Sequence, residues 1–248
     1  MRSILITGCN RGLGFGLVKS LVRSNNPPEK IFATCRDVDK AAELTALAKE
    51  AKTIHVIEID LRNSDEHPKL VKEVADHVGN AGLNVLFNNA GTSTKFARLP
   101  LVKEQQLTEN FIINTVAPIL LAKAFLPLLK QAAANHPNKQ GMSIEKAAII
   151  NMSSTLGSIT SNDAGGFYPY RCSKAALNAA TKSMSLDLKN DNILVIAMHP
   201  GWVKTDMGGS NAPLDVETST RDMLNTLESL TERHTGAFFQ HDGRTLPW

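Results

Sequence analysis

Tyrosine is scarce in this sequence: its 248 residues hold two, and aromatic residues of all kinds make up 5%. Cysteine is nearly as scarce. The three present, Cys9, Cys35 and Cys172, are far apart and lack metal-ligand spacing, which argues against a disulfide framework or a zinc ribbon and for reduced thiols in a reducing compartment. An excess of one charge is missing too. Lys and Arg number 27 against 24 Asp and Glu, a net of +3, too mild to point to nucleic acid or an anionic membrane. The longest apolar stretch, PILLAKAFLPLL, is short and broken by Lys123, so no bilayer span is expected. The chain begins MRSILITG, already a strand pattern, which leaves no room for a signal or transit peptide. The rest is ordinary for a soluble protein, 42% hydrophobic and 21% charged. The length suits one α/β domain with a large core, expected in the cytoplasm.

Short apolar runs alternate with longer amphipathic ones. Residues 3–7, 31–35, 55–59, 84–88, 147–152 and 193–198 are continuous apolar runs, as expected for buried strands of a parallel sheet. Helical patterns occupy 13–24, 38–50, 66–79, 104–134, 170–189 and 215–233, and GAFF at 236–239 fits an edge strand. The alternation predicts an α/β fold, a doubly wound, mostly parallel sheet of about seven strands of Rossmann type. The polar segment 134–146 reads as a surface loop, and 206–220, rich in Gly, Pro, Ser and Asp, as a lid-like excursion.

The first strand runs into TGCNRGLGFGL, which puts Gly8, Gly12 and Gly14 on the turn and on the start of the next helix. Glycine lets backbone approach a ligand, and a helix N-terminus offers free N–H groups to phosphate. A tight turn without a ligand is the plain alternative; Gly16 reads as helix packing. The second strand ends ATCRD. An acidic residue there would bond a ribose 2′-hydroxyl, whereas arginine suits a 2′-phosphate. Arg36 and Arg11 favour the phosphate, hence NADP(H), while Asp37 is the counter-evidence.

The two tyrosines stand in GFYPYRCSKAAL. Tyr170 and Lys174 are four apart and share a helical face; Tyr168 has Cys172 at that spacing. Pro169 favours a helix beginning there, with Tyr168 on the preceding loop. A nearby ammonium would lower the phenol from its usual pKa of ~10 and fit it for proton transfer at a carbonyl or alcohol oxygen. Alone, Y-x-x-x-K is weak. The fifth strand, however, ends INMSS, which places Ser153 and Ser154 at the same sheet edge, and a serine hydroxyl there can polarise a carbonyl. Pro118 lies four residues after Asn114 and cannot bond its carbonyl, so a helix kink is expected there, with water as the alternative partner.

TGCNRGLG, NNAG at 88–91, NTVAP, INMSS, YRCSK and HPGWVKTDM follow in that order over almost the whole chain. The sequence resembles the short-chain dehydrogenase/reductase family, and most of all its sniffer-type carbonyl reductases. The resemblance implies that Tyr170 is the catalytic acid/base, that Lys174 bonds the nicotinamide ribose and depresses the phenol, that Ser154 orients the substrate oxygen and that Asn114 holds a relay water. It implies a pyrophosphate site at Gly8, Gly12 and Gly14 with Asn10, Arg11 and Leu13 around it, and an adenine contact at Asp60 beside Leu61. Asn88, Asn89, Ala90 and Gly91 would line the central cofactor cleft, and Pro200, Gly201, Val203 and Thr205 would hold the carboxamide. One departure is that 155–169, between Ser154 and Tyr170, is longer than usual in the family.

The expected activity is NADPH-dependent reduction of an aldehyde, ketone or quinone. Phe167, Tyr168, Trp202 and Met207 would form an apolar substrate wall, with Tyr168 facing substrate without catalysing. The expected partners are a small-molecule carbonyl substrate and a second or further copies of the chain, as a homodimer or homotetramer. Two alternatives stay open. One is an NAD-dependent alcohol or hydroxysteroid dehydrogenase, favoured if Arg36 proves exposed and unengaged. The other is an NADP-binding sensor or scaffold without turnover.

Overall fold

The protein was analysed as a computed structural model that describes residues 1–94, 96–135 and 141–248. Seven strands form one sheet: β1 Ser3–Ile6, β2 Lys30–Cys35, β3 Ile54–Glu58, β4 Val85–Asn88, β5 Ala148–Met152, β6 Leu194–His199 and β7 Phe238–Gln240. Their order is β3-β2-β1-β4-β5-β6-β7, and every pairing is parallel. The edge strand expected at 236–239 is β7.

The continuous apolar runs follow from a sheet covered on both faces. Side chains alternate across it: Ile4, Ile6, Val85, Phe87, Ile150 and Ile196 belong to one core, with Leu17, Leu21, Met223 and Leu227. Leu5, Leu86, Ile149 and Val195 belong to the other, with Leu70, Val74, Phe125 and Leu129. The first core is thus roofed by α1 (Gly12–Val22) and α7 (Val216–Ser229), the second by α3 (His67–Val78) and α5 (Ala117–Ala134). A Cβ on Gly16 would come within 2.3 Å of Val216, so this glycine serves α1–α7 packing as expected. The order of strand addition reverses between β1 and β4, where a doubly wound sheet opens a crevice beyond its strand ends.

Several expected boundaries move. The helix expected at 38–50 starts later, as α2, Ala42–Glu50, because Asp37 binds both the backbone N–H and the Nζ of Lys40 and holds a turn instead. The stretch 104–134 divides into α4 (Glu104–Phe111), a π-helical turn (Ile112–Val116) and α5. The Ala117 N–H reaches back five residues to the Ile112 carbonyl. The kink expected from Pro118 is therefore a π-bulge, a common way for a helix to absorb a break in its ladder. By length and composition Glu104–Ala134 could cross a bilayer, but half of its apolar stretch is buried in the protein, as in a core helix. Of the loop expected at 134–146, residues 136–140 lie outside the described residues. The excursion at 206–220 is shorter than expected, since Asp215 caps α7 by accepting from the Thr218 N–H at 2.7 Å.

Helix α6 spans Tyr168–Asp187. Tyr168 is thus its first residue and not the last of a loop. The sharp turn falls one residue earlier, at Phe167, whose left-handed backbone (φ 50, ψ 29) ends the approach and lets Pro169 sit in the first turn.

Candidate active site

The glycine turn sits at the switch point. Gly8 has φ +72 and its α-carbon faces Ala90; a Cβ there would lie 3.0 Å from Ala90 Cα. A Cβ on Gly14 would come within 2.1 Å of the Gly8 carbonyl oxygen, so the turn closes only with hydrogen at that position. Asn89 fixes the turn to the end of β4, its Nδ2 donating to the Thr7 carbonyl at 2.8 Å and to the Gly8 carbonyl at 3.2 Å. The Thr7 hydroxyl accepts from the N–H groups of Asn89 and Ala90. Asn89 therefore shapes the cradle from behind. Asn10 and Leu13 are half-buried on the turn. The N-terminus of α1 carries no acidic residue in its first turn, which leaves its N–H groups and dipole suited to an anion.

On the opposite wall Gly201 has φ +86, and a Cβ there would meet Leu214 at 2.8 Å and His241 at 3.0 Å. The Ser219 hydroxyl donates to the Pro200 carbonyl at 2.6 Å, and Val203 is buried. Thr205 stands against Gly12, where a Cβ would be 3.6 Å from the Thr205 methyl. Arg11 crosses between the walls to Asp206, with Nη1 2.6 Å from Oδ2 and both groups largely exposed. Arg36 is exposed at the end of β2 and forms no hydrogen bond or ion pair with the described residues. Its neighbour Asp37 is engaged by Lys40 Nζ at 2.5 Å, which holds its carboxyl below the usual range.

Two residues expected at the cofactor have partners within the protein. Asn88 is buried, and its Oδ1 has no hydrogen-bond partner among the described residues. It is 2% exposed, and its Nδ2 donates to Asn151 Oδ1 at 2.8 Å within the sheet, because a residue paired with Asn151 across parallel strands points the same way. Asn151 in turn donates to the Thr181 hydroxyl at 2.9 Å, so these groups tie the sheet to α6. Asp60 is chelated by the guanidinium and N–H of Arg62, which lowers its pKa; Leu61 beside it packs on the second core.

The catalytic candidates do come together. Lys174 is buried, and its Nζ donates to the Met152 carbonyl at the end of β5 at 2.6 Å. The same ammonium lies 5.7 Å from the centre of the Tyr170 ring. Ser154 follows two residues after Met152. Its hydroxyl accepts from the Leu156 N–H at 3.2 Å, and a hydrogen bond from it acts on the Tyr170 phenol. The two serines separate cleanly: Ser153 is spent on Asn178, 2.6 Å away, which leaves Ser154 for the site. Asn114, in the π-turn, is fully buried. Its Nδ2 donates to the Thr92 carbonyl at 2.8 Å and to Ser173 Oγ at 3.0 Å, and its Oδ1 accepts from the Thr92 N–H at 2.9 Å. Gly91 marks the meeting point, since a Cβ there would lie 3.3 Å from Asn114 Oδ1 and 3.6 Å from Lys174 Nζ.

The electrostatics differ from the expectation that Lys174 depresses the phenol. Burial pushes the Tyr170 phenol up to about 12, only partly opposed by the Ser154 hydrogen bond. Burial also pushes Lys174 down to about 7. Desolvation disfavours both charged forms, so Tyr170 is a protonated donor over the whole neutral range.

Around this centre Phe167 and Tyr168 are half-buried at the head of α6, while Trp202 and Met207 are exposed. Trp202 Nε1 donates to the Gly208 carbonyl at 2.8 Å. Two residues escaped the sequence reading. Phe96 meets Phe167 edge-on with centroids 5.0 Å apart, and Arg171 is a buried guanidinium that bonds the carbonyls of Leu156 and Gly165, each at 3.3 Å. Phe96 lies in an irregular segment without periodicity. The only signal for Arg171 was its position between Tyr170 and Lys174 on a helix whose other face had to be buried.

The sequence model of a family described as short chain dehydrogenase matches residues 2–214, and the chain belongs to that family. The carbonyl reductase Sniffer of D. melanogaster is 55% identical, with a TM-score of 0.98 and full coverage of both chains. An NADPH-bound carbonyl reductase from chicken fatty liver is 40% identical, with a TM-score of 0.94 over 100% of this chain and 99% of that one. The C-signal protein of Myxococcus xanthus is 37% identical over 178 residues, 72% of this chain and 100% of its own length. The fold and the oxidoreductase class expected from the motifs are those of the family.

The raised pKa of the Tyr170 phenol has a direct consequence. In a Tyr168→Phe variant Tyr170 is the sole tyrosine, and at about pH 10.5 the folded protein should show little phenolate absorbance, whereas an ordinary phenol of pKa ~10 is mostly ionised there. Unfolding at the same pH should release the absorbance. Full phenolate absorbance in the folded protein contradicts the assignment.

Proposed function

We propose that this short-chain dehydrogenase is an NADPH-dependent carbonyl reductase acting on aldehydes, ketones or quinones. The observation that carries the reading is the meeting of Lys174 and Asn114 at Gly91, with the Tyr170 ring 5.7 Å from Lys174 Nζ and Ser154 two residues beyond the Met152 carbonyl that Lys174 binds, beside a glycine cradle that has no room for a Cβ at Gly14. The cradle and the N-terminus of α1 suit a pyrophosphate. Arg36, with Arg11 if it exchanges Asp206 for a new partner, suits a 2′-phosphate. Once bound, the nicotinamide cofactor supplies the hydride.

The chain's own part is to hold and protonate the carbonyl oxygen. Ser154 donates a hydrogen bond to that oxygen as charge develops on it. Tyr170 gives it a proton, a role suited to a phenol held protonated near neutrality. Lys174, tethered to Met152 and adjustable near pH 7, would bond the cofactor ribose and would favour the phenolate left behind. Asn114, with both ends of its amide engaged by Thr92, anchors the path by which water would return the proton. Phe167, Tyr168, Trp202 and Met207 supply the apolar substrate wall.

The exposed Arg36 is also the mark named for the NAD-dependent alternative. Against that alternative, the nearby carboxylates are already committed: Asp37 binds Lys40, and Glu58 accepts from the Val38 N–H at 2.8 Å. Neither is presented to a ribose hydroxyl. The reading places the protein in the cytoplasm, supported by an exposed free thiol at Cys172. It takes the assembly as a homodimer or homotetramer joined through α5 and α6, where Ile119 and Leu186 leave apolar surface, with Val116 beside them at the end of the π-helical turn.

The test is NADPH consumption against a panel of aldehydes, ketones and quinones. Tyr170→Phe should lower turnover at least about a hundredfold while NADPH binding, read by fluorescence titration, stays nearly intact; retained turnover rejects Tyr170 as the acid. Arg36→Ala should weaken NADPH far more than NADH, and an equal loss for both removes the phosphate assignment.

A further inference from the structure

The segment 155–169 joins two catalytic candidates, Ser154 at one end and the Tyr168–Tyr170 turn at the other, so its path shapes one side of the substrate mouth. It is longer than the family habit, yet it is pinned at several points. From within, Arg171 bonds the Leu156 carbonyl near its start and the Gly165 carbonyl near its end. Arg171 is 9% exposed, and these carbonyls are the hydrogen-bond partners of its side chain among the described residues. A guanidinium buried in this way is spent on backbone geometry, since a buried charge must be satisfied by hydrogen bonds where no carboxylate meets it.

From outside, the segment is held by Trp248. Its carbonyl oxygen accepts the Thr160 N–H at 3.0 Å and lies 3.1 Å from the Ser158 hydroxyl. Its indole stacks on Phe238 of β7, with centroids 5.5 Å apart and planes 16° apart. The Leu246 N–H donates to the Phe238 carbonyl at 2.7 Å, which ties the approach to Trp248 to the same strand. The sheet edge therefore carries a strut that ends on the segment.

The far end of the segment is wound against its natural tendency. Gly165, Gly166 and Phe167 have φ values of 62, 66 and 50 in succession. Phe167, as a non-glycine residue, keeps a left-handed backbone only where its surroundings impose it. The Arg171 N–H donates to the Phe167 carbonyl at 2.8 Å, and Phe96 closes over Gly166, where a Cβ would come within 2.1 Å of its ring. This wall is built and braced.

We propose that Trp248 and Arg171 are positioning residues that hold the 155–169 segment as a preformed wall and thereby set the affinity for the carbonyl substrate. The proposal rests on the carbonyl reductase reading. Neither residue touches the reacting atoms. Their effect reaches substrate through the placement of Phe167 and Tyr168, so loosening the brace costs substrate binding and spares chemistry at saturation.

The test compares wild type, Trp248→Ala and Ser158→Ala by steady-state kinetics with a small aldehyde and an aromatic quinone, together with amide hydrogen exchange at Thr160 and the thermal midpoint. Trp248→Ala keeps the backbone oxygen but removes the indole stack that holds it on β7; it should raise Thr160 exchange and raise the carbonyl KM by up to about tenfold, the factor a lost aromatic pair is worth. Its kcat and NADPH dissociation constant should stay within about twofold, and Ser158→Ala should shift KM the same way by less. Unchanged Thr160 exchange, or raised exchange with unchanged KM, overturns the proposal. A parallel loss of kcat, NADPH affinity and thermal midpoint also overturns it, as a general loosening of the fold. A wild type inert toward every carbonyl defeats the reading beneath the proposal, which is distinct from an active wild type that Trp248→Ala leaves unaltered.

Discussion

The bond from the buried Lys174 ammonium to the Met152 carbonyl is the tie on which the rest of the site depends. It joins the face of α6 to the end of β5 at 2.6 Å, and both catalytic oxygens are placed from those two elements. Tyr170 stands one turn before Lys174, and Ser154 stands two residues beyond Met152. Gly157 lets the chain after Ser154 lie directly on the lysine, because a Cβ there would come within 2.8 Å of Lys174 Cβ. A charge in such a place is costly unless hydrogen-bonded, and the cost appears as a lysine pushed down to about 7. A group poised there changes charge readily when an anion or a phenolate comes near it.

The cofactor side obeys a different constraint, that of close backbone approach. Gly8, Gly14 and Ala90 bring the β1 turn against the end of β4, and Asn89 binds the two together. The π-turn at Ile112–Val116 brings Asn114 to the same crevice. One irregular helix turn therefore links the chain after β4, through Thr92, to α6, through Ser173. Cradle and proton donor are consequences of one sheet whose strand order reverses between β1 and β4. The Arg11–Asp206 pair spans the mouth between them, exposed on both sides, so it contributes little to stability and yields easily to a competing anion.

The strands were legible in the sequence because a sheet buried on both faces needs unbroken apolar runs, and the Tyr170–Lys174 spacing was legible because four residues make one helical turn. What a side chain does when two partners compete for it was not. Asn88 turned to Asn151, a neighbour 63 residues away that no spacing encodes, whereas Asp60 with Arg62 and Asp37 with Lys40 are local pairs whose spacing was present in the sequence but not used. The expected kink at Pro118 was correct in place, but its form as a π-bulge depends on packing around Asn114. The sign of the Tyr170 shift went against the charge argument because desolvation of the phenol, invisible in sequence, dominates it. Arg171 and Trp248 were missed because each acts on a segment remote from it or across a loop.

The central claim is that a lysine buried at the end of a strand serves an adjacent phenol as proton donor. The most direct measurement is NADPH oxidation by one carbonyl substrate at saturating cofactor, in wild type and in Lys174→Met, with folding checked by circular dichroism. The account predicts a folded variant whose turnover falls by about a hundredfold or more. A folded variant that turns over at the wild-type rate contradicts it.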